Sequence, residues 1–186
     1  LWWAGGLMVR ASVNVSVRDL CINDFAPWLA EQLRQRGVAP AGLQLEMTES
    51  AVMTQPGAVL ASLQSLRALG IGAALDDFGT GFSSLSYLHQ LMVETLKIDR
   101  SFVNRVGRGQ GGAEMLHAIV SLGHSLGMDV VAEGVETGEQ LTHLRALGCE
   151  YAQGFYYSAP VNAAAAERLV ERHPWAAPAL ESKLAS

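Results

Sequence analysis

Short apolar runs suited to β-strands alternate with longer segments of helical period along almost the whole chain, and no other feature narrows the fold as far. The strand-like runs are Val9 to Val17, Leu43 to Met47, Ile71 to Leu75, Thr95 to Ile98, Asp129 to Ala132 and Tyr151 to Tyr157. Between them apolar residues recur at spacings of three and four: Phe25, Trp28, Leu29 and Leu33; Val59, Leu63 and Leu66, widened by Leu60; Leu116, Ile119, Val120 and Gly123; Leu141, Leu144 and Leu147. Gly37, Gly70, Gly127 and Gly148 each follow one of these segments, where a left-handed C-cap is expected. Repeated strand, helix, strand predicts right-handed βαβ units, hence an α/β fold on a parallel sheet. The 186 residues suit one domain with a sizeable core, and a charged fraction of 17% is that of a globular protein. Residues 1–172 are expected to form this domain. From His173-Pro174-Trp175 onward the pattern breaks, and residues 173–186 read as a tail or linker.

Charge and cysteine usage exclude several classes. The formal net charge is −5 and Lys and Arg form no stripe, so no DNA or RNA footprint is expected. A small phosphate ligand held through metal ions is compatible with that balance, because clustered carboxylates bind divalent cations without a basic surface. Cys21 and Cys149 lie far apart and form no metal or redox motif, which points to reduced thiols and a cytoplasmic location. No apolar run approaches the ~18 residues of a membrane span. Leu1 to Val9 is too short for one, lacks a basic lead and ends at Arg10, so it does not read as a signal peptide. A chain that opens on Leu1-Trp2-Trp3 reads as the middle of a longer one.

Charged and amide residues fall where the strand runs end. Asn14 lies near the end of the first, Glu46 and Glu49 close the second, and Asp76 and Asp77 the third. Lys97 and Asp99 close the fourth, Glu133 and Glu136 the fifth, and Gln153 lies within the sixth. Taken alone, Asp99 or Glu136 reads as a helix N-cap or a solvated loop residue. Six parallel strands that all end this way direct their polar residues to one mouth, the position of active sites in (β/α)8 barrels. The adjacent acids Asp76 and Asp77 follow the apolar Ala73-Ala74-Leu75, so at least one is expected to turn inward, and adjacent carboxylates repel unless a cation neutralises them. Asn14, Glu46, Asp76 and Glu133 offer oxygen ligands suited to Mg²⁺ or Mn²⁺. Lys97 lies between Leu96 and Ile98, and a buried ammonium needs anionic partners. It is suited to pair with a carboxylate, hold a phosphate oxygen or fix an attacking water. Asp77-Phe78-Gly79-Thr80-Gly81-Phe82-Ser83-Ser84 is either a plain connection or a lid hinged on its glycines.

These residues occur in blocks that resemble a known family. Val13-Asn14-Val15-Ser16, Glu46-Met47-Thr48-Glu49-Ser50 and the run from Asp76 to Leu85 come first. Leu96-Lys97-Ile98-Asp99 with Phe102-Val103, Val131 to Thr137, and Gln153-Gly154-Phe155 follow. Their order and gaps are similar to those of EAL-type cyclic-di-GMP phosphodiesterase domains over almost all of residues 9 to 160. The resemblance implies a (β/α)8 TIM-like barrel, here partial with about six of eight strands, because the Glu-Ala-Leu signature and the arginine after it do not occur in this chain. It implies hydrolysis of cyclic di-GMP to linear pGpG with two Mg²⁺ or Mn²⁺ ions in the intact domain. Carried over by position, Asn14, Glu46, Asp76, Asp77 and Glu133 match metal ligands. Lys97 matches the lysine at the attacking water, with Asp77, Glu133 and Gln153 in the catalytic network. Glu49 matches the anchor of the loop formed by Phe78, Gly79, Thr80, Gly81, Ser83 and Ser84, and Glu136 joins the substrate side. The resemblance further implies a homodimer formed through the barrel and a fused sensory or GGDEF domain. A catalytically silent EAL domain acting as a binding module is the alternative. The 186-residue chain alone is expected to be inactive and poorly folded.

Overall fold

The computed structural model describes residues 9–81, 88–106 and 112–172. Six parallel strands stand in sequence order in one sheet: β1 (Ala11–Asn14), β2 (Leu43–Thr48), β3 (Gly72–Phe78), β4 (Thr95–Ile98), β5 (Asp129–Ala132) and β6 (Tyr151–Ala152). Helices α1 (Val17–Leu20), α2 (Phe25–Gln35), α3 (Glu49–Val52), α4 (Pro56–Ala68), α5 (Arg100–Val103), α6 (Gly112–Ser125), α7 (Gly138–Ala146) and α8 (Ala163–Arg172) connect or follow them. The sheet is a half-barrel whose strands all run the same way.

Strand periodicity gives the sheet two unlike faces. Leu45, Met47, Ala73, Leu75, Leu96, Ile98, Val130 and Ala132 point to the helices and are buried. They pack against Val59, Leu63 and Leu66 of α4, Leu116, Ile119 and Val120 of α6, and Leu141 and Leu144 of α7 in one continuous core. The opposite face, the barrel interior, is polar. There Ser12 donates to Gln44 (3.3 Å) and buried Gln44 donates to Thr95 (2.8 Å), one layer below Glu46 and Lys97.

Two strands are shorter than their sequence runs. The run Val9 to Val17 yields a strand only over Ala11–Asn14, because Ser16 and Asp19 form a reciprocal capping box that starts α1 at Val17. The run Tyr151 to Tyr157 yields Tyr151–Ala152, because the amides of Tyr156 and Tyr157 turn back to the carbonyls of Val135 and Gly154. Gln153 therefore lies just past β6 rather than within it. An apolar groove of about 820 Å³ runs between β1 and α2, lined by Val13, Val15, Ile22, Trp28, Leu29 and Leu45.

Candidate active site

Parallel register brings the strand C-termini level with one another. Asn14 stands opposite Glu46, and Thr48 opposite Asp76. Lys97 stands opposite Val131, so Glu133, two residues on, faces the same side. At the centre, the Lys97 ammonium meets three carboxylates: Glu133 at 2.6 Å, Glu46 at 2.7 Å and Asp76 at 3.2 Å. Lys97 is 5% exposed. Burial opposes its charge, but the hydrogen bonds to Glu133 and Glu46 and the fields of Glu133 and Asp76 outweigh that and raise its pKa. Lys97 is therefore a fixed cation at neutral pH. Glu133 is pushed upward by burial, only partly offset by Lys97, with Asp76 and Glu46 adding repulsion.

Asp76 and Asp77 both reach this centre, although neighbours on a regular strand point to opposite faces. The pairing of β3 with β4 shifts between Leu75 and Phe78, so two acids fill the register of one residue. Asp77 adopts a left-handed conformation (φ 53°), which aspartate tolerates better than most residues. The bulge re-aims its side chain, and oxygens of Asp76, Asp77 and Glu133 all lie within 4.8 Å of one another. Burial, then repulsion from Asp76 and Asp99, raises the pKa of Asp77. Carboxylate oxygens this close to one another are a chemical fit for a hard divalent cation, which would relieve their mutual repulsion.

Glu49 opens α3 directly after β2, is 1% exposed, and accepts a hydrogen bond from the Gly79 amide (3.1 Å). Phe78 is buried, and Thr80 folds back with its hydroxyl on the Asp77 carbonyl (2.9 Å). Gly79 has φ +95°, and a Cβ there would stand 2.7 Å from the Phe102 ring, so this loop lies directly on α5. Gly81 sits against Glu49 and Ser50. Ser83 and Ser84 lie outside the described residues. Asn14 is exposed at the rim beside Glu46, and Gln153 is exposed beside Glu133, tied by its backbone to Ala132 and Val135. Glu136 is exposed at the start of α7. Asp99 is a helix N-cap, its carboxylate accepting from the Ser101 amide (3.0 Å). Sequence reasoning did not find the bulge or the Phe102 seat. The adjacent acids on an apolar strand were the only signal for the first.

A parallel α/β half-barrel with a buried lysine and converging acids at its strand C-termini belongs to the barrel enzymes in architecture. The EAL domain family model matches residues 3–160, and the chain belongs to the EAL domain family. It is 39% identical over 180 residues to the cyclic di-GMP phosphodiesterase NbdA of Pseudomonas aeruginosa, covering 96% of this chain and 23% of NbdA. The solved MucR phosphodiesterase of the same organism, a complex with c-di-GMP, superposes with a TM-score of 0.84 at 39% identity, covering 89% of this chain and 67% of that one. Klebsiella pneumoniae BlrP1, solved as a manganese/cy-diGMP complex, superposes with a TM-score of 0.78 at 32% identity, covering 84% of this chain and 41% of that one. The chain spans roughly a fifth to a quarter of the length of the curated relatives it matches. No described helix is long and apolar enough to cross a membrane.

Proposed function

We propose that the protein containing this chain hydrolyses cyclic di-GMP to the linear dinucleotide with two Mg²⁺ or Mn²⁺ ions. The observation that carries the reading is the convergence of Asp76, Asp77 and Glu133 within 4.8 Å beside a lysine bound to three acids. Glu46, Asp76, Asp77 and Glu133, with the Asn14 amide at the rim, would hold the ions. Bound there, divalent ions lower the pKa of an attacking water and offset charge developing on the phosphate. A water oxygen attacks phosphorus, the phosphorus–O3′ bond breaks, and the departing O3′ takes a proton. Lys97, held as a cation, does not accept that proton. It keeps Glu46, Asp76 and Glu133 in place, and the N–H directed at Asp76, the longest of the three contacts at 3.2 Å, would be the one to turn to the attacking oxygen. Gln153 and Glu136 border the substrate side. Glu49 holds the Gly79 end of the loop that borders it.

The domain is taken to run over residues 1–172, with 173–186 a tail or linker. The size of the relatives supports a fused sensory or GGDEF domain, and a second copy docked through the barrel would form a homodimer. A cytoplasmic location is consistent with a nucleotide substrate. The test is hydrolysis by the full-length protein. Mn²⁺ should support turnover, EDTA should stop it, Ca²⁺ should bind without supporting it, and Asp76→Asn should abolish it, because an amide carries no charge to balance the cation. Undiminished turnover in EDTA refutes the metal mechanism. Cyclic di-GMP binding without any turnover turns the reading to a silent binding module.

A further inference from the structure

The turn that carries Glu133 and Glu136 links β5 to α7. Its first half is pinned by backbone: the Glu133 amide donates to Ile98 (3.1 Å) and the Val135 amide to Gln153 (3.0 Å). Its second half depends on one side chain. The amides of Glu136 and Thr137 both donate to a single oxygen of Gln140, at 2.7 and 3.0 Å. Thr137 accepts from the Gln140 amide in return (3.2 Å), which completes a capping box.

A capping box needs only an acceptor at this position, and glutamate would serve it equally. Gln140 also presents a donor. Its amide nitrogen reaches the Val103 carbonyl and the Asn104 side chain, each at 3.4 Å, and so crosses to the C-terminal end of α5. Gln140 is 9% exposed, so its bond to the Val103 carbonyl is buried and the others are partly sheltered from water. The other end of α5 meets the same turn. Gly134 has φ +69°, and a Cβ there would lie 2.5 Å from Cβ of Arg100, so backbone rests on α5 with no room for a side chain. Helix α5 directly follows the strand that bears Lys97.

We propose that Gln140 is a positioning residue that ties the 134–137 turn to α5 and so holds Glu133 and Glu136 in step with Lys97. The inference rests on the metal-dependent reading of the site for its consequence, while the tether itself is measurable without it. Gln140→Glu is the discriminating change, because it keeps the acceptor for the Glu136 and Thr137 amides and replaces the donor with an oxygen facing two other oxygens. Gln140→Met removes both halves. In the full-length protein, Mn²⁺ binding by calorimetry, amide exchange, and kcat and KM for cyclic di-GMP are compared. Gln140→Glu is expected to keep the melting temperature near that of wild type while weakening Mn²⁺ binding ~10-fold and lowering kcat more than it raises KM. Gln140→Met is expected to lose the same functions and also Glu136 and Thr137 amide protection. Wild-type Mn²⁺ affinity and kcat in Gln140→Glu overturn the proposal and leave Gln140 a cap only. If wild type binds no Mn²⁺, the functional reading fails instead. The tether is then judged by exchange at the Val135 amide: faster exchange in Gln140→Glu supports it, and unchanged exchange overturns it.

Discussion

The two ends of this one sheet carry similar charges and behave differently. At the N-terminal ends of the strands, Arg10 meets Glu94 at 3.3 Å and His124 meets Glu150 at 2.8 Å. Arg10 and Glu94 are about half exposed, with side-chain exposures of 47% and 51%. At the C-terminal ends, Lys97 meets three acids and only 6% of its side chain is exposed. Exposed pairs are screened by water and held loosely, whereas buried charges lose solvation and must be matched by neighbours. Three carboxylates share one ammonium at the mouth, so negative charge exceeds positive there. That excess separates a cation site from a structural ion pair.

Removing the shared cation should give the largest effect. Lys97→Met leaves Glu46, Asp76 and Glu133 facing one another in a buried place. A loss of ~3–5 kcal/mol is expected from stripping a buried pair of one partner. If the excess charge is what makes the mouth a metal site, Mn²⁺ should restore much of that stability in the variant and less in wild type. Urea unfolding of the full-length protein with and without Mn²⁺ measures both. Equal Mn²⁺ stabilisation of the two proteins would erase the distinction drawn between the ends of the sheet.

A smaller effect should follow from disturbing the mouth without touching its charge. Gly79→Ala puts a methyl group 2.7 Å from the Phe102 ring at φ +95°, so backbone strain and a clash coincide. The expected loss is roughly 1–3 kcal/mol from overpacking and an unfavourable φ. Because the Gly79 amide is tied to Glu49, the displaced loop should also raise KM for the dinucleotide. Calorimetric melting and steady-state kinetics on the same preparation check both parts. An unchanged KM alongside a lowered melting temperature would confine Gly79 to folding.

Much of this was legible in the sequence, for reasons that also show where reading stops. Strands β4 and β5 have the bounds read from their residues, because apolar pattern alone sets them. Strands β1 and β6 do not, because a capping box at Ser16 and a turn after Gly154 cut them short, and those compete with the ladder for the same backbone groups. The acids at strand ends could be read as one cluster because parallel strands necessarily present their C-termini together. The bulge was not readable, since alternation sends Asp76 and Asp77 to opposite faces until a left-handed Asp77 intervenes. Thr137-Gly138-Glu139-Gln140 has the spacing of a capping box. The donor half of Gln140 was hidden because its partners lie 36 and 37 residues away.

The smallest effect belongs to the N-terminal end, where pH gives the sharpest measurement. Glu150 precedes β6; one oxygen accepts from the Val130 amide at 2.9 Å and the other faces His124. Burial alone would push its pKa up, but the bonds from Val130 and its own backbone amide, with the field of His124, bring it below the ordinary glutamate value of 4.5. A depressed folded-state pKa stabilises the fold above the unfolded value, and this contribution disappears as pH falls through the folded value. Glu150→Gln keeps an acceptor for Val130 and removes only the charge. Its stability difference from wild type should be small and should shrink as the pH drops below about 4.5, where Glu150 itself takes up a proton. Added salt should reduce it further, because 40% of the His124 side chain and 35% of the Glu150 side chain are exposed to solvent. Denaturant midpoints between neutral and acid pH, at low and high salt, measure the trend. A difference that persists well below that range, or that ignores salt, would mean this end of the sheet also holds a buried charge and the contrast with the mouth is one of degree.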